Sequence, residues 1–405
     1  MSEKIDLSCV SVLCGHAEVP AYKPLVPFAS QVLDFLADVG LNILNSSVAR
    51  SYPDVITFGF FCRKASLLQL EKNYKDKIEN RIGRGLSFHI APSNVPVNFA
   101  YTLISGLLAG NSCVVKASSK DFTQTHIICD SFNTVLENYS FLKPYINVVM
   151  YDRDRVDITE YYSSHCNVRV IWGGDETVKA IKSICLPPRG IDLAFADRYS
   201  ICVINASAVQ ETILYDNGDE KIKSLAQDFY NDTYLYDQNA CSSPHLIYWL
   251  GEKKEVDEAK RIFWDAIYDN IKERYRQDPL IAVNKLTAVY RTSIAINGTK
   301  LEKNKDNRIV RVAVPCLVKD LPDLREVGGF FQEYTDTTLE SLVSIITDKY
   351  QTMAYYGFEK KDLVSFVVDN GLQGIDRIVP LGHTADFGLL WDGYDLILTL
   401  SRIIA

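Results

Sequence analysis

Four segments of this chain carry chemically capable residues, two of them suited to a nucleophile and an oxyanion donor. Cys241 stands in Tyr236-Asp-Gln-Asn-Ala-Cys-Ser-Ser-Pro-His245, among small and polar neighbours. A thiol so placed is expected to be partly exposed near helix-terminal N–H groups, which lower its pKa and favour the nucleophilic thiolate. An inert packed thiol is the bland alternative for any one cysteine. Pairing with His245 is the weaker option, because a four-residue spacing needs a helix that Pro244 interrupts. Asn94 lies in Ala91-Pro-Ser-Asn-Val-Pro-Val-Asn, where two prolines fix a turn. Its amide could face a developing oxyanion; the ordinary alternative is a helix cap.

The other two segments suit a phosphorylated ligand. Val114-Val-Lys-Ala-Ser-Ser-Lys places Lys116, Ser118 and Ser119 where an ammonium and hydroxyls can hold a ribose or phosphate. A surface loop is the plain alternative. Ile171-Trp-Gly-Gly-Asp-Glu-Thr-Val offers Gly173 and Gly174 for close approach of a ligand, beside a helix start whose N–H groups face outward. No Gly-x-Gly-x-x-Gly or Walker loop is present, and neither is a serine nucleophile elbow, zincin helix or kinase signature.

These residues need elements to position them. Gly85-Leu-Ser-Phe-His-Ile-Ala and Ser112-Cys-Val-Val-Lys read as short buried strands, with a buried helix at Val97–Ala109 between them. Strands at 145–150, 169–172 and 200–205 continue the pattern, with helices near 121–138 and 175–185. Such alternation predicts a parallel sheet covered on both faces, whose carboxyl edge is where ligands bind. The first 80 residues read mainly as helix, notably Ser30 to Leu44 and Leu67 to Asn80, the latter becoming a charged, solvated face. Beyond 206, helices are expected at 221–235 and 255–276 and strands at 309–314 and 365–368. The end, 392–404, reads as a strand or extended tail.

Composition narrows the function classes. The 405 residues carry 43 basic and 51 acidic side chains, a net charge of −8, so binding nucleic acid by bulk electrostatics is not expected. No apolar stretch approaches the roughly 20 residues of a membrane span. Ten cysteines are present, with no Cys-x-x-Cys pair and no zinc spacing, so no metal site is predicted. The opening Met-Ser-Glu-Lys-Ile-Asp lacks the order of a secretory signal. A reducing, cytoplasmic setting is expected, with the nine cysteines other than Cys241 read as packing residues.

Longer stretches carry a more specific pattern. They are Gly83-Arg-Gly-Leu-Ser-Phe-His-Ile-Ala-Pro-Ser-Asn-Val-Pro-Val-Asn-Phe-Ala-Tyr, Gly106-Leu-Leu-Ala-Gly-Asn, Tyr236-Asp-Gln-Asn-Ala-Cys-Ser-Ser-Pro, and Gly374-Ile-Asp-Arg-Ile-Val-Pro-Leu-Gly followed by Trp391-Asp-Gly-Tyr-Asp. In this order they resemble the aldehyde dehydrogenase superfamily and, more closely, the fatty acyl-CoA reductases of the LuxC type that supply aldehyde in bacterial bioluminescence. The resemblance covers residues 80–405, on a chain that looks shorter at its N-terminus than the bioluminescence members. It implies an α/β aldehyde-dehydrogenase-like fold: a Rossmann-like NADP(H)-binding domain over 1–210, rejoined by 370–405, and an α/β catalytic domain over 211–369.

Carried over by position, the resemblance makes Cys241 the acylated nucleophile and Asn94 an oxyanion donor alongside the Cys241 N–H. Lys116 becomes the cofactor-ribose lysine, Gly173 and Gly174 the pyrophosphate turn, and Glu326 a loose match to the nicotinamide-ribose glutamate. Phe195 stands where dehydrogenases carry the general-base glutamate that lets water hydrolyse the acyl-enzyme, which suits a reductase. Ser119, followed by Lys120, replaces a glutamate common in NAD-preferring relatives, so NADPH is the expected cofactor. The implied reaction is NADPH-dependent reduction of an acyl-CoA or acyl-protein thioester to a fatty aldehyde through an acyl-cysteine. An acyl-protein synthetase partner and a homo-oligomer come from the resemblance alone. Alternatives are an acyl-phosphate reductase of the gamma-glutamyl phosphate reductase type, a non-redox acyl carrier or transferase using the same cysteine, and a non-catalytic scaffold. The first should require basic residues where Asp237, Gln238 and Ser242 stand.

Overall fold

A computed structural model describes residues 5–214 and 218–405. The chain forms two compact units, Met1–Ala196 with Gly388–Ala405, and Asp197–Phe387.

The first unit is built on a six-stranded sheet in the order Ser11–Cys14, Ile146–Met150, Ser112–Lys116, Leu86–Ile90, Val168–Trp172, Ile191–Phe195. Only the Ser11–Cys14 strand runs antiparallel. Leu86–Ile90 and Val168–Trp172 are buried along their whole length, as strands covered by helices on both faces must be. Strand order reverses between these two, which puts the crevice of a doubly wound sheet at their carboxyl ends. Helix Asn98–Leu108 packs so tightly on the sheet that a Cβ at Gly106 would lie 2.6 Å from Cys113 Sγ and 2.9 Å from His89 Nε2. The buried His89 is bound at both ring nitrogens, by Thr102 at 2.7 Å and Ser87 at 2.9 Å, and burial pushes its pKa down to about 3.

The C-terminal segment belongs to this unit. Its expected strand is a hairpin, Leu390–Trp391 with Tyr394–Asp395, then a helical turn Leu396–Leu400 and a strand Ser401–Ile403 that pairs with Arg81–Gly83. Asp395 caps the turn by accepting from the Leu398 N–H at 3.1 Å, and Leu396, Ile397 and Leu400 are buried. An alternating pattern over so few residues does not separate a capped turn from a strand.

The second unit holds a seven-stranded sheet in the order Lys300–Leu301, Val310–Ala313, Phe330–Asp336, Pro244–Leu250, Tyr199–Asn205, Tyr350–Tyr356, Arg377–Pro380, parallel except at Lys300–Leu301. Helix Lys253–Ile271 opens with a capping box between Glu252 and Glu255, and buries Val256, Ala259, Phe263, Ile267 and Ile271. Trp249 and Trp264 both donate to the buried Glu333 carboxylate, at 2.8 and 2.9 Å. Lys260 and Arg311 flank that carboxylate at 3.8 and 3.6 Å, as a buried charge requires.

Several boundaries differ from those the sequence suggests. The strand at 200–205 is part of the second sheet, bonded to Pro244–Leu250 and Tyr350–Tyr356, so the units divide at Ala196/Asp197 and the chain returns at Gly388. Periodicity identifies a buried strand without saying which sheet it joins. Residues 365–368, Ser-Phe-Val-Val, lie inside helix Lys360–Asp369, where Leu363 is buried while Val364 and Val368 face solvent. The expected helix at 67–80 spans Lys64–Tyr74, followed by a 3-10 turn. Ser11–Cys14 adds a strand to a region read as helical.

Candidate active site

Within the first unit, the candidate residues gather at the carboxyl ends of adjacent strands. Asn94 is exposed on the turn after Leu86–Ile90. It does not cap the following helix: the N-cap position is Val97, and no side-chain cap bond is made there. Asn98, at the first position of that helix, has its Oδ1 buried without a hydrogen-bond partner among the described residues. Lys116 ends the neighbouring strand, half-buried, with its ammonium 4.9 Å from the centre of the Tyr151 ring. Burial lowers its pKa, opposed by the charge of Asp152. The Lys116 carbonyl accepts from the Ala91 N–H at 3.0 Å, fixing the start of the Asn94 turn to the Lys116 strand.

Beyond Lys116, the Ser118 hydroxyl accepts from the Lys120 N–H at 3.1 Å, and Ser119 and Lys120 are exposed. Gly173 donates to the Phe195 carbonyl at 3.1 Å, while a Cβ on Gly174 would meet nothing within 4 Å. Gly174 is the N-cap of helix Asp175–Lys182 and offers no side chain to its N–H groups, although Asp175 and Glu176 already bring negative charge to that end. The open glycine turn, the half-buried ammonium and the orphaned Asn98 oxygen fit a phosphorylated, hydrogen-bonding cofactor. Phe195 is buried, stacked on Trp172 at 3.9 Å and edge-on to Tyr394 at 5.9 Å.

Within the second unit, the candidates lie at the opposite, amino edge of the sheet. Cys241 is partly buried on the loop between a 3-10 turn, Tyr234–Tyr236, and the strand Pro244–Leu250. Cys241 does not itself open a helix, because the chain enters a strand three residues later. What fixes the loop instead is side-chain bonding. Asp237 and Gln238 both adopt left-handed backbone, at φ 50° and 61°, a conformation that costs a non-glycine residue roughly 1–2 kcal/mol. Gln238 offsets this: its Nε2 donates to the Pro244 and Phe330 carbonyls at 2.9 and 3.0 Å, and its Oε1 accepts from the Gly329 and Phe330 N–H groups at 2.9 and 3.2 Å. The amide thus spans the mouth between two neighbouring strands.

Glu326 precedes the strand Phe330–Asp336, which pairs with the strand following Cys241, so both residues occupy one sheet edge. Its Oε1 accepts from the Val327 N–H at 3.0 Å. Below it, buried Lys285 donates to Gln277 Oε1 at 3.1 Å and to the Gly328 carbonyl at 2.7 Å, and burial depresses its pKa to about 7. His245 is no partner for the thiol in proton transfer. It is buried, stacked on Tyr199, and held neutral by burial with its pKa near 3.

Two residues that sequence patterns did not single out touch Cys241. Gln351 donates from Nε2 to its Sγ at 3.3 Å, and Ser200 donates from Oγ to its carbonyl at 2.7 Å. Both are the second residues of their strands, where a single polar residue reads as a strand end. The remaining cysteines divide. Cys14, Cys62, Cys113, Cys129, Cys166 and Cys202 are buried, and burial pushes each thiol upward, to about 12 for Cys14, Cys113 and Cys166. Cys9, Cys185 and Cys316 are exposed, correcting the expectation that all nine pack.

The family model described as acyl-CoA reductase (LuxC) matches residues 62–280, over half the chain and both the Asn94 and Cys241 segments. The chain belongs to the LuxC family. Among curated LuxC relatives, the long-chain acyl-protein thioester reductase of Vibrio harveyi is 24% identical over 330 residues, covering 79% of this chain and 63% of that protein. The reductase of Aliivibrio fischeri is 28% identical over 171 residues, 42% of this chain and 33% of that one. The chain therefore spans less than two thirds of the length of these relatives. Solved structures with a similar fold are a NAD-dependent benzaldehyde dehydrogenase from Corynebacterium glutamicum and a 1-pyrroline-5-carboxylate dehydrogenase from Thermus thermophilus. Their TM-scores are 0.61 and 0.63, at 9% and 11% identity, covering 93% and 94% of this chain and 84% and 82% of theirs. The fold is that of the aldehyde dehydrogenases. Among the described residues, no helix is long and apolar enough to cross a membrane.

Proposed function

We propose that this LuxC-family chain is an NADPH-dependent acyl-thioester reductase that releases a fatty aldehyde through an acyl-Cys241 intermediate. The observation that carries the proposal is Cys241 itself. It is partly exposed at the edge of a largely parallel sheet and held there by side-chain bonds, inside the segment the family model matches.

The Cys241 thiolate attacks the thioester carbonyl, and the tetrahedral oxyanion is stabilised by Asn94 and the Cys241 N–H, roles carried over from the family. Collapse expels the donor thiol, coenzyme A or a protein thiol, and leaves the acyl-cysteine. When bound, the nicotinamide cofactor supplies the hydride that turns this thioester into aldehyde and regenerates the thiolate. Lys116, Ser118, Ser119, Gly173 and Gly174 would hold its ribose and phosphates, and Glu326 its nicotinamide ribose. Ser119 and Lys120 together present no carboxylate and one exposed ammonium, which favours a 2′-phosphate. Phe195, buried in an aromatic stack, supplies no base to activate water against the acyl-enzyme.

The test is NADPH oxidation, followed by absorbance, with acyl-CoAs of graded chain length and with an acyl-protein donor. Oxidation coupled to aldehyde formation is expected in the intact protein and not in Cys241→Ala. Acyl labelling of Cys241 with no NADPH oxidation would instead mark an acyl carrier. An acyl-protein synthetase partner and a homo-oligomer are further parts of the proposal, read by co-purification and light scattering.

A further inference from the structure

We infer that Gln351 is a further catalytic residue, whose side-chain N–H donates to the Cys241 sulfur and holds it as an oriented thiolate. The inference rests on Cys241 being the nucleophile and adds the group that makes it one.

Cys241 is gripped at both ends by one closed circuit. Gln351 Nε2 lies 3.3 Å from Sγ, and Ser200 Oγ lies 2.7 Å from the Cys241 carbonyl. The same Ser200 Oγ accepts from the Thr352 N–H at 3.2 Å, and Thr352 Oγ1 donates to Gln351 Oε1 at 3.1 Å. With its oxygen engaged by Thr352, the Gln351 amide turns its N–H end to the sulfur. Gln351 is only 1% exposed, so this orientation is fixed by packing rather than sampled.

The backbone is shaped for this contact. Pairing between Tyr350–Tyr356 and Tyr199–Asn205 slips between Tyr350 and Met353, around Gln351 and Thr352, and pairing with Pro244–Leu250 slips at Ser200/Ile201. Such irregularities re-aim side chains beside active sites. Here they bring Gln351, Thr352 and Ser200 to the cysteine.

A neutral amide cannot take the thiol proton; it donates a hydrogen bond that favours the charged form. The proton leaves to solvent, to which the partly exposed Cys241 is open. Charged groups on the surrounding elements are otherwise engaged. Asp237 accepts from the Tyr275 hydroxyl, Arg325 and Lys349 both pair with Asp197, Glu326 bonds the Val327 N–H, and the buried His245 is neutral.

The experiment is alkylation of the full chain by iodoacetamide across pH 5–10, quantified for each cysteine peptide by mass spectrometry. Exposed Cys185 and Cys316 serve as internal standards. In Gln351→Met, which keeps size and removes the donor, the Cys241 midpoint should rise by about one unit, slowing its alkylation about tenfold below the midpoint. Gln351→Glu, which places a carboxylate there, should raise it further, and Gln351→Asn retains a donor and should recover part of the shift. Rates at Cys185 and Cys316 should not change. An unchanged Cys241 midpoint in Gln351→Met, with the standards constant, overturns the inference. So does an equal midpoint in the Met and Asn variants. Acyl-CoA labelling in the same preparations separates the two claims: label on another peptide removes Cys241 as nucleophile, whatever the alkylation shift.

Discussion

The two units are both doubly wound parallel sheets, yet their candidate residues occupy opposite edges. In the first, Asn94, Lys116 and Gly173–Gly174 follow the carboxyl ends of three neighbouring strands, on either side of the point where strand order reverses. Backbone geometry alone assembles that group, since each residue sits at its strand's carboxyl end or within four residues after it. In the second, Cys241, Glu326, Ser200 and Gln351 lie at the amino edge, before or at the first residues of their strands. Their order comes from side chains: Gln238 clamping two strands, Ser200 holding the Cys241 carbonyl, Gln351 on the sulfur. The first group of candidates is thus placed by topology, whereas the proposed nucleophile sits in a bonded cradle.

The contrast can be broken at several points. The largest effect is expected at Asn94, whose replacement by alanine should lower turnover about a hundred- to thousandfold. Asn94 is exposed and is not the N-cap of the helix that follows it, so the loss is expected in turnover with the folded state retained in thermal melting. Near-normal turnover would remove it from the chemistry. In the second unit the largest cost should be structural. Gln238→Ala leaves four backbone groups without their side-chain partner and should cost about 2–4 kcal/mol in urea unfolding. Unchanged stability would show that the Cys241 loop holds its shape without the clamp.

Smaller effects sharpen the comparison. Ser119→Glu adds a carboxylate where a 2′-phosphate is proposed to lie, and should move the kcat/KM ratio toward NADH by at least about tenfold. An unmoved ratio would place the phosphate elsewhere. Lys285 offers a pH test confined to the second unit. Its folded pKa near 7 lies below the usual 10.5, so the unfolded chain binds the extra proton between those values. Its contribution to stability is therefore full above pH 10.5 and lost as pH falls toward 7. Lys285→Met should flatten the stability–pH slope in that window by at most about 1.4 kcal/mol per pH unit. An identical slope would mean that Lys285 titrates normally.

Legibility from sequence follows the same divide. The first sheet announces itself, because Leu86–Ile90 and Ser112–Lys116 are apolar runs bounded by turn residues, and the general rule for such sheets then locates Asn94, Lys116 and Gly173. Residues 200–205 were recognisable as a strand but not as a member of the second sheet, since pairing partners lie 45 or 150 residues away. Residues 365–368 carried β-branched side chains into a helix, where position on the core decided the outcome over propensity. At the amino edge the sequence offered Cys241 through its motif, while Gln351 and Ser200 gave no signal. Their importance arises from strand slippage and long-range bonding that no local pattern encodes.

The most direct measurement is to expose the protein to a long-chain acyl-CoA without any nicotinamide cofactor, digest it, and locate the acyl group by peptide mass spectrometry. Acyl mass on the peptide containing Cys241, discharged when NADPH is added, is the predicted result. Acyl mass on Cys9, Cys185 or Cys316 instead, or on no cysteine at all, would contradict the account.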